Sequence, residues 1–432
     1  MTKDEFFKVA KEKGIKNIQV AETTQNIGQI ELINNDLETF DISNHISYQI
    51  KAEYNDKTVK SKSEYLDESV LNDLIMKAKL TDTSYQDDYL QDTTNNNSLD
   101  ENIDIELSED LVHLRNLDKL RKEYPELTNL TLSYSEIFEK KKISNNNKVN
   151  IETSSHYYEF SPEVIIKNAK EINSFTRTFL GTKKENIINK ENLKETIEMA
   201  IKQVTKEQKG TKKYNIIIDS SVMSTILSSF VDMISATNVR QNISCLKEKI
   251  NKKIFSDKLS IIEDPLNKDY PGYTVFDDEG TKTYKKDIVK NGKLMTYLYN
   301  IKEAKEANCH STGNGYSGIS TKNMYIKAGT KSLTELFKDL DNGIYITDCM
   351  GSMETAINCN TGNISLQIFG FVIENGKIKC GLKPSIMTTT IFELFGNVEE
   401  ISNEVIFTER AVASPCIYFK DISITGSQES DN

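Results

Sequence analysis

The chain has 432 residues, enough for about three domains or one large two-part fold. Its 54 basic and 65 acidic side chains leave a net charge of −11 spread along the length, which excludes self-repelling disorder and argues against a phosphate-backbone binder. No apolar run approaches the roughly 18 residues of a membrane span. The start, Met1-Thr2-Lys3-Asp4-Glu5-Phe6-Phe7, mixes charges where a leader peptide needs an apolar stretch. A cytoplasmic protein is expected, with neither nucleic acid nor membrane among its partners.

The first elements read as helix, strands, helix. Phe6, Phe7 and Ala10, with Ile15 beyond, lie at helical spacing from Lys3 to Lys13. Strand-like runs follow at Ile18–Ala21 and Gly28–Ile33, then an Asn34-Asn35-Asp36 turn. From His45 to Tyr54, alternation places Ile46, Tyr48, Ile50 and Ala52 on one face. After an Asn55-Asp56 turn and another strand, Asp67 can cap a helix carrying Val70, Leu71, Leu74, Ile75 and Ala78. Gln91–Asn102 is polar and Asn-rich and reads as a linker or loop.

The rhythm then repeats. Leu111, Leu114, Leu117 and Leu120 stripe a helix over Ser108–Glu123; strands Asn129–Phe138 and Val149–Phe160 flank a Ser144–Asn147 turn; a helix spans Glu191–Lys206. Gly210-Thr211-Lys212-Lys213 marks a boundary. The reading is α+β: an N-terminal half of two helix-and-antiparallel-strand subdomains, 1–100 and 105–210, and a β-rich C-terminal domain, 211–432, barrel- or sandwich-like with a few helices.

The C-terminal domain opens with an apolar strand, Tyr214–Ile218, and the caps Asp219-Ser220-Ser221. The helix after them, to about Ala236, carries Val222, Ile226, Phe230 and Met233, flanked by Met223, Leu227 and Val231. Asn-Gly pairs at Asn291-Gly292 and Asn375-Gly376 sit between alternating strands and predict tight hairpins.

Local metal and redox signatures are missing. The cysteines, Cys245, Cys309, Cys349, Cys359, Cys380 and Cys416, are scattered and read as reduced, mostly buried thiols. His45, His113, His156 and His310 lie far apart, so no His-Glu-x-x-His pattern exists. Two segments stand out. Asp277, Asp278 and Glu279 precede Gly280: they could wall a site that meets substrate amines, a partner or a divalent cation, or form a turn whose carboxylates accept backbone N–H bonds. Ser311, Thr312, Gly313, Asn314 and Gly315 could be an edge where an extended peptide pairs through its main chain, or an ordinary tight loop.

Taken in order, several motifs resemble the TldD/PmbA family, known as modulators of DNA gyrase. They are Phe276-Asp277-Asp278-Glu279-Gly280, Asp287–Leu294, Ser311–Gly315, Asn323–Ile326, Met350-Gly351, Thr361-Gly362-Asn363, Ile373–Ile378 and Ala413-Ser414-Pro415 through Ile424. The likeness covers about 216–426; the first half matches only in its helix-strand rhythm. The resemblance implies a zinc peptidase of two related subunits, whose catalytic member carries His-Glu-x-x-x-His on the helix after the first C-terminal strand. There the histidines hold zinc and the glutamate takes a proton from the bound water. Leu227, Ser228 and Asp232 occupy those positions here, so no catalytic residue and no metal ligand is assigned. Cys416 lies in the region of a further family ligand and reads as core.

The resemblance therefore points to the PmbA (TldE)-like branch: a non-catalytic subunit, with zinc expected in a TldD-like His-Glu-x-x-x-His partner and unfolded peptides as substrate. Asp277, Asp278, Glu279, Gly280, Thr312, Gly313, Asn314 and Gly315 are the candidate peptide-binding or interface residues. Two other readings are a homodimeric peptide-binding scaffold without proteolysis, and an active peptidase with an atypical metal site using Cys309, His310 or the acidic trio.

Overall fold

The computed structural model describes residues 1–81, 94–97, 103–167, 172–350 and 357–426. Two long antiparallel hairpins dominate the N-terminal half. Asn17–Ile33 pairs with Asp36–Tyr54 across the Asn34-Asn35 turn, and Leu127–Asn145 pairs with Asn150–Lys167. The separate runs Ile18–Ala21 and Gly28–Ile33 expected from alternation are one continuous strand, because its polar middle is paired on both sides. Asn34 and Asn35 have φ of 52° and 73°, and Asn291-Gly292 and Asn375-Gly376 likewise take positive φ. Positive φ at both central residues is the backbone of a type I′ turn, whose twist matches that of the strands it joins.

The stretches 1–100 and 105–210 are joined by strand pairing. Asn17–Ile33 runs beside Leu127–Asn145 from Gln19↔Asn145 to Ile33↔Thr131. Two cores sit on this common sheet. One packs Phe6 and Ala10 of the helix Lys3–Glu12, and Val70, Leu71, Leu74 and Ala78 of the helix Glu68–Leu80, on Ile18, Val20, Ile50 and Ala52. Both helices are capped from sequence, by a Thr2/Glu5 capping box and by Asp67. The other core takes Leu114 and Leu117 of Ser108–Asp118 and Leu193 and Ile197 of Lys190–Lys202. Of the expected linker, only Thr94–Asn97 is described. Those four residues form a strand parallel to Asn150–Thr153, so this part of it is paired backbone.

The larger sheet continues past the hairpins through Phe179–Gly181 into C-terminal strands Ile406–Phe407, Val412–Ser414, Met324–Ile326, Ile261–Glu263 and Lys286–Lys290. The crossing is one residue pair wide, Leu180 opposite Phe407. The second sheet closes on itself. Ile417–Gly426, Lys212–Ile218, Gly343–Met350, Asn363–Glu374 and Lys377–Thr390 are neighbours in that order, and the last pairs back onto the first from Ser385↔Gly426 to Thr388↔Ser423. The result is a five-stranded barrel, as the β-rich reading of this domain anticipates. Its first strand is covered on both faces: Ile216 and Ile218 join the core of the helix Ser220–Ile234, while Ile217 joins the core of Leu193 and Ile197. Burial on both faces explains the near-continuous apolar run. No helix among the described residues is long and apolar enough to cross a membrane.

Candidate functional site

The helix that would carry a zinc motif spans Ser220–Ile234, with Asp219 capping it by accepting from the Ser221 N–H. It is lined by what its sequence supplies. Leu227 is fully buried in the apolar core, beside Phe230, Met223 and Ile226. Ser228 Oγ donates to Glu409 Oε1 at 2.8 Å, and Asp232 is exposed. Burial pushes the Glu409 carboxyl above its ordinary range, and the Ser228 hydroxyl pulls it back only in part. Zinc hydrolysis needs several imidazole, thiolate or carboxylate donors converging on one point. A hydrocarbon, a hydroxyl already donating and one exposed acid do not fit that ion. Among the described residues, no group of three or more His, Cys, Asp and Glu is placed to hold a metal.

Histidine and cysteine side chains serve elsewhere. His113 Nε2 lies 3.1 Å from the Ile188 carbonyl and His156 Nε2 lies 2.8 Å from Glu136 Oε1. Cys309 and His310 are exposed, and all six thiols are free. Cys416 is buried with its Sγ 3.7 Å from Asp219 Oδ2. Burial, then the Asp219 charge, drive its thiol far up, so it stays protonated. Burial also raises the Asp219 carboxyl, yet Arg177, the Tyr345 hydroxyl and Ser221 more than offset it.

The acidic loop and the glycine loop come together, which the sequence placed as separate candidates. Asp277 is fully buried. Its Oδ1 accepts from the N–H groups of Glu279 and Thr281, at 3.0 and 2.8 Å, and its Oδ2 from the Gly315 N–H at 2.8 Å. This is the turn reading of that residue. Burial and the neighbouring Glu279 charge push its carboxyl up to about 7 against the pull of those donors. Asp278 accepts from Lys141 and from Gln49 Nε2, while Glu279 accepts from Lys60 Nζ at 3.1 Å and the Ile301 N–H at 2.8 Å. Gly280, at φ 87°, ends the turn. Lys60, Gln49 and Lys141 belong to the N-terminal sheet, so the trio joins the two halves of the chain.

For Thr312–Gly315 the hydrogen bonds match the tight-loop alternative. The Thr312 N–H goes to the Tyr299 carbonyl, that of Gly313 to Ser311 Oγ and that of Gly315 to Asp277. Asn314 is fully buried: its amide donates to both Glu263 oxygens at 2.8 and 3.0 Å, and its carbonyl oxygen accepts from Thr312 Oγ1. These groups are satisfied within the fold. Gly315 leaves room for the Glu279 carboxylate, which a Cβ there would force to shift.

Sequence reasoning missed the ionic centre beneath these loops. Lys286 Nζ lies 2.5 Å from Glu263 Oε2, and both side chains are buried. Nearby, Arg410 makes a two-pronged pair with Glu139, at 3.0 Å for each prong, and its Nε donates to the Pro271 carbonyl. The available signal was Glu263 itself, a lone acid ending the apolar strand Ile261–Glu263.

Residues 211–426, half of the chain, match the model of the PmbA/TldA metallopeptidase C-terminal domain. The chain belongs to the PmbA/TldD family. It is 33% identical over 241 residues to the metalloprotease PmbA homolog of Buchnera aphidicola from Acyrthosiphon pisum, which covers 55% of this chain and 53% of that relative. It is 31% identical over 288 residues to an uncharacterized Methanocaldococcus jannaschii protein, covering 65% of each. These matches span about half to two thirds of the relatives' length. Among solved structures, a Thermotoga maritima protein described as a candidate modulator of DNA gyrase superposes with a TM-score of 0.85 at 24% identity, covering 98% of this chain and 99% of that one. TldE from Thermococcus kodakarensis gives 0.83 at 16%, covering 99% and 100%. At such identities these two structures establish the fold.

Proposed function

We propose that this PmbA/TldD-family chain is the non-catalytic, TldE-like subunit of a heterodimeric zinc peptidase that trims or degrades unfolded peptides. A sibling subunit bearing His-Glu-x-x-x-His supplies the zinc and the proton-accepting glutamate. The observation that carries the reading is the donor set Leu227, Ser228 and Asp232 at the motif positions, which offers no cradle for a hydrolytic metal.

A second feature supports a partner. The strand Asp36–Tyr54 is paired along its length on one side, but on the other the strand Lys57–Ser63 covers only Tyr48–Tyr54. Along the edge left uncovered by the described residues, Leu37, Phe40, Ile42 and Ile46 are exposed. A long edge with an apolar stripe invites another chain to add to it, and the sibling subunit is the occupant assigned here.

The test is co-expression with a His-Glu-x-x-x-His sibling. The expected result is a complex that holds zinc and cleaves unfolded peptide, while this chain alone does neither. Phe40→Ser with Ile42→Ser should lose co-purification while leaving the fold of the lone chain unchanged. Stoichiometric zinc and peptide cleavage by the isolated chain would refute the proposal.

A further inference from the structure

A cavity of about 350 Å³ lies where the strand Ile172–Thr176 and the residues after it meet the start of the helix Ser220–Ile234 and the barrel strand Gly343–Met350. Its volume is within the range of small-molecule sites. A bulge shapes one wall. In the ladder between Gly343–Met350 and Asn363–Glu374, Ile346 stands opposite Gly370 and Asp348 opposite Phe369, so Thr347 is an extra residue. Regular alternation would send Thr347 and Asp348 to opposite faces. An extra residue re-aims side chains locally, and here both residues line the cavity.

The charged residues of the lining are Arg177, Asp219 and Asp348. The first two are already engaged. Arg177 donates to Glu195 Oε1 at 2.6 Å, and its other terminal nitrogen lies 3.5 Å from Asp219 Oδ2, so its charge is met twice. Asp219 also caps the helix through the Ser221 N–H and accepts from the Tyr345 hydroxyl. Asp348 is left over. Its Oδ1 accepts from the Cys349 N–H at 2.7 Å, and it has no cationic partner among the described residues. The protein around it raises its carboxyl above the ordinary range, and the Cys349 N–H pulls it back only in part. Beside it, Thr347 Oγ1 is buried without a hydrogen-bond partner. An unpaired carboxylate partly removed from water and an unsatisfied buried hydroxyl are both costly. A single ligand atom carrying positive charge and several N–H groups relieves both.

This pairing selects among ligands. One carboxylate and one hydroxyl are too few for a divalent metal, which takes about six oxygen ligands. An oxyanion would stand against the Asp348 charge, and a neutral polyol would leave that charge unpaired. We infer that the cavity binds a primary ammonium group, as presented by the amino terminus of a peptide or by a lysine side chain, seated between Asp348 Oδ2 and Thr347 Oγ1. Ser174, Phe175 and Thr176 of the lining belong to the N-terminal half and the bulge belongs to the barrel, so an occupied site also fastens the two together. The inference concerns this chain alone and does not depend on a catalytic sibling.

The experiment is calorimetric titration of the full chain, near neutral pH, with n-butylammonium, L-alaninamide, Nα-acetyl-L-lysinamide, n-butanol and potassium chloride. Saturable binding of the ammonium probes is expected. The tighter of alaninamide and acetyl-lysinamide separates a peptide amino terminus from a lysine side chain as the natural source. n-Butanol, the same hydrocarbon without the charge, should bind at least about tenfold more weakly. Asp348→Asn, at an exposed site without a cationic partner, should weaken n-butylammonium about tenfold with an unchanged circular dichroism spectrum. Thr347→Val should weaken it by a smaller factor, about threefold. Absence of saturable binding of any ammonium probe up to about 10 mM would overturn the inference, as would undiminished binding by Asp348→Asn. n-Butanol binding as tightly as n-butylammonium would reduce the cavity to an apolar slot, and potassium displacing n-butylammonium at equal concentration would make it an inorganic cation site; either result overturns the inference equally.

Discussion

The helix Ser220–Ile234 buries Leu227, Phe230 and Ile234 completely and packs chiefly through apolar side chains, whereas the loop 276–280 holds its neighbours through carboxylates. Both lie in the C-terminal half, and both pack against segments distant in sequence. The difference teaches where this protein is robust and where it is conditional. Apolar burial is indifferent to pH and salt. The joint between the N-terminal sheet and the C-terminal loops adds ion pairs to apolar contacts such as Phe276 with Ile143 and Ile151, and the strength of those pairs follows protonation.

Removing one charge from the ionic centre beneath the loops is the sharpest way to break that contrast. Lys286→Met leaves Glu263 buried and without its cation, and unfolding by urea should show a loss of about 4 kcal/mol. Leu227→Ala in the helix core should lose about 3 kcal/mol, and the loss should be the same at pH 5 and pH 8.

Acid distinguishes the two regions further. The folded chain raises the Asp277 carboxyl to about 7 from an ordinary 3.8, so it binds its proton more readily than the unfolded chain does. That residue's contribution therefore grows as pH falls from about 7 toward 4 and is lost as pH rises, on the order of 4 kcal/mol. Glu139 behaves oppositely. Burial raises its carboxyl, but Arg410 and Lys141 outweigh this and hold it well below its ordinary 4.5. Its contribution is present above about 4.5 and is lost as pH falls further. Stability measured against pH should thus peak on the acidic side of neutrality, and Asp277→Asn should remove the rise between pH 7 and pH 5. Ser228→Ala should have the smallest effect, below about 1 kcal/mol, with the Glu409 carboxyl moving up because the Ser228 hydroxyl no longer donates to it.

Much of the fold was legible because its signals are local. Asn291-Gly292 and Asn375-Gly376 specify their turns from two residues each, and Thr2, Asp67 and Asp219 mark helix starts through their own side chains. Strand pairing beyond the hairpins was not legible. Nothing near Gln19 announces Asn145, and nothing in Lys377–Thr390 announces that it will close a barrel on Ile417–Gly426. The same holds for the candidate site. Asp277, Asp278 and Glu279 were visible as a cluster, but the cations that hold the last two, Lys141 and Lys60, lie 137 and 219 residues away in sequence. The glycine loop was read as either an open edge or a tight loop because its composition permits close approach. What approaches is the chain's own carboxylate, and composition alone does not say which molecule a glycine makes room for.

The seam at Leu180 and Phe407 has a mechanical consequence. A sheet usually resists sliding because many ladder bonds must break at once, but here the hairpins and the C-terminal strands share a single residue pair. The larger sheet can therefore bend at that point with little loss of ladder bonding, while the pairs Lys60–Glu279, Lys141–Asp278 and Arg410–Glu139 keep the two halves in contact.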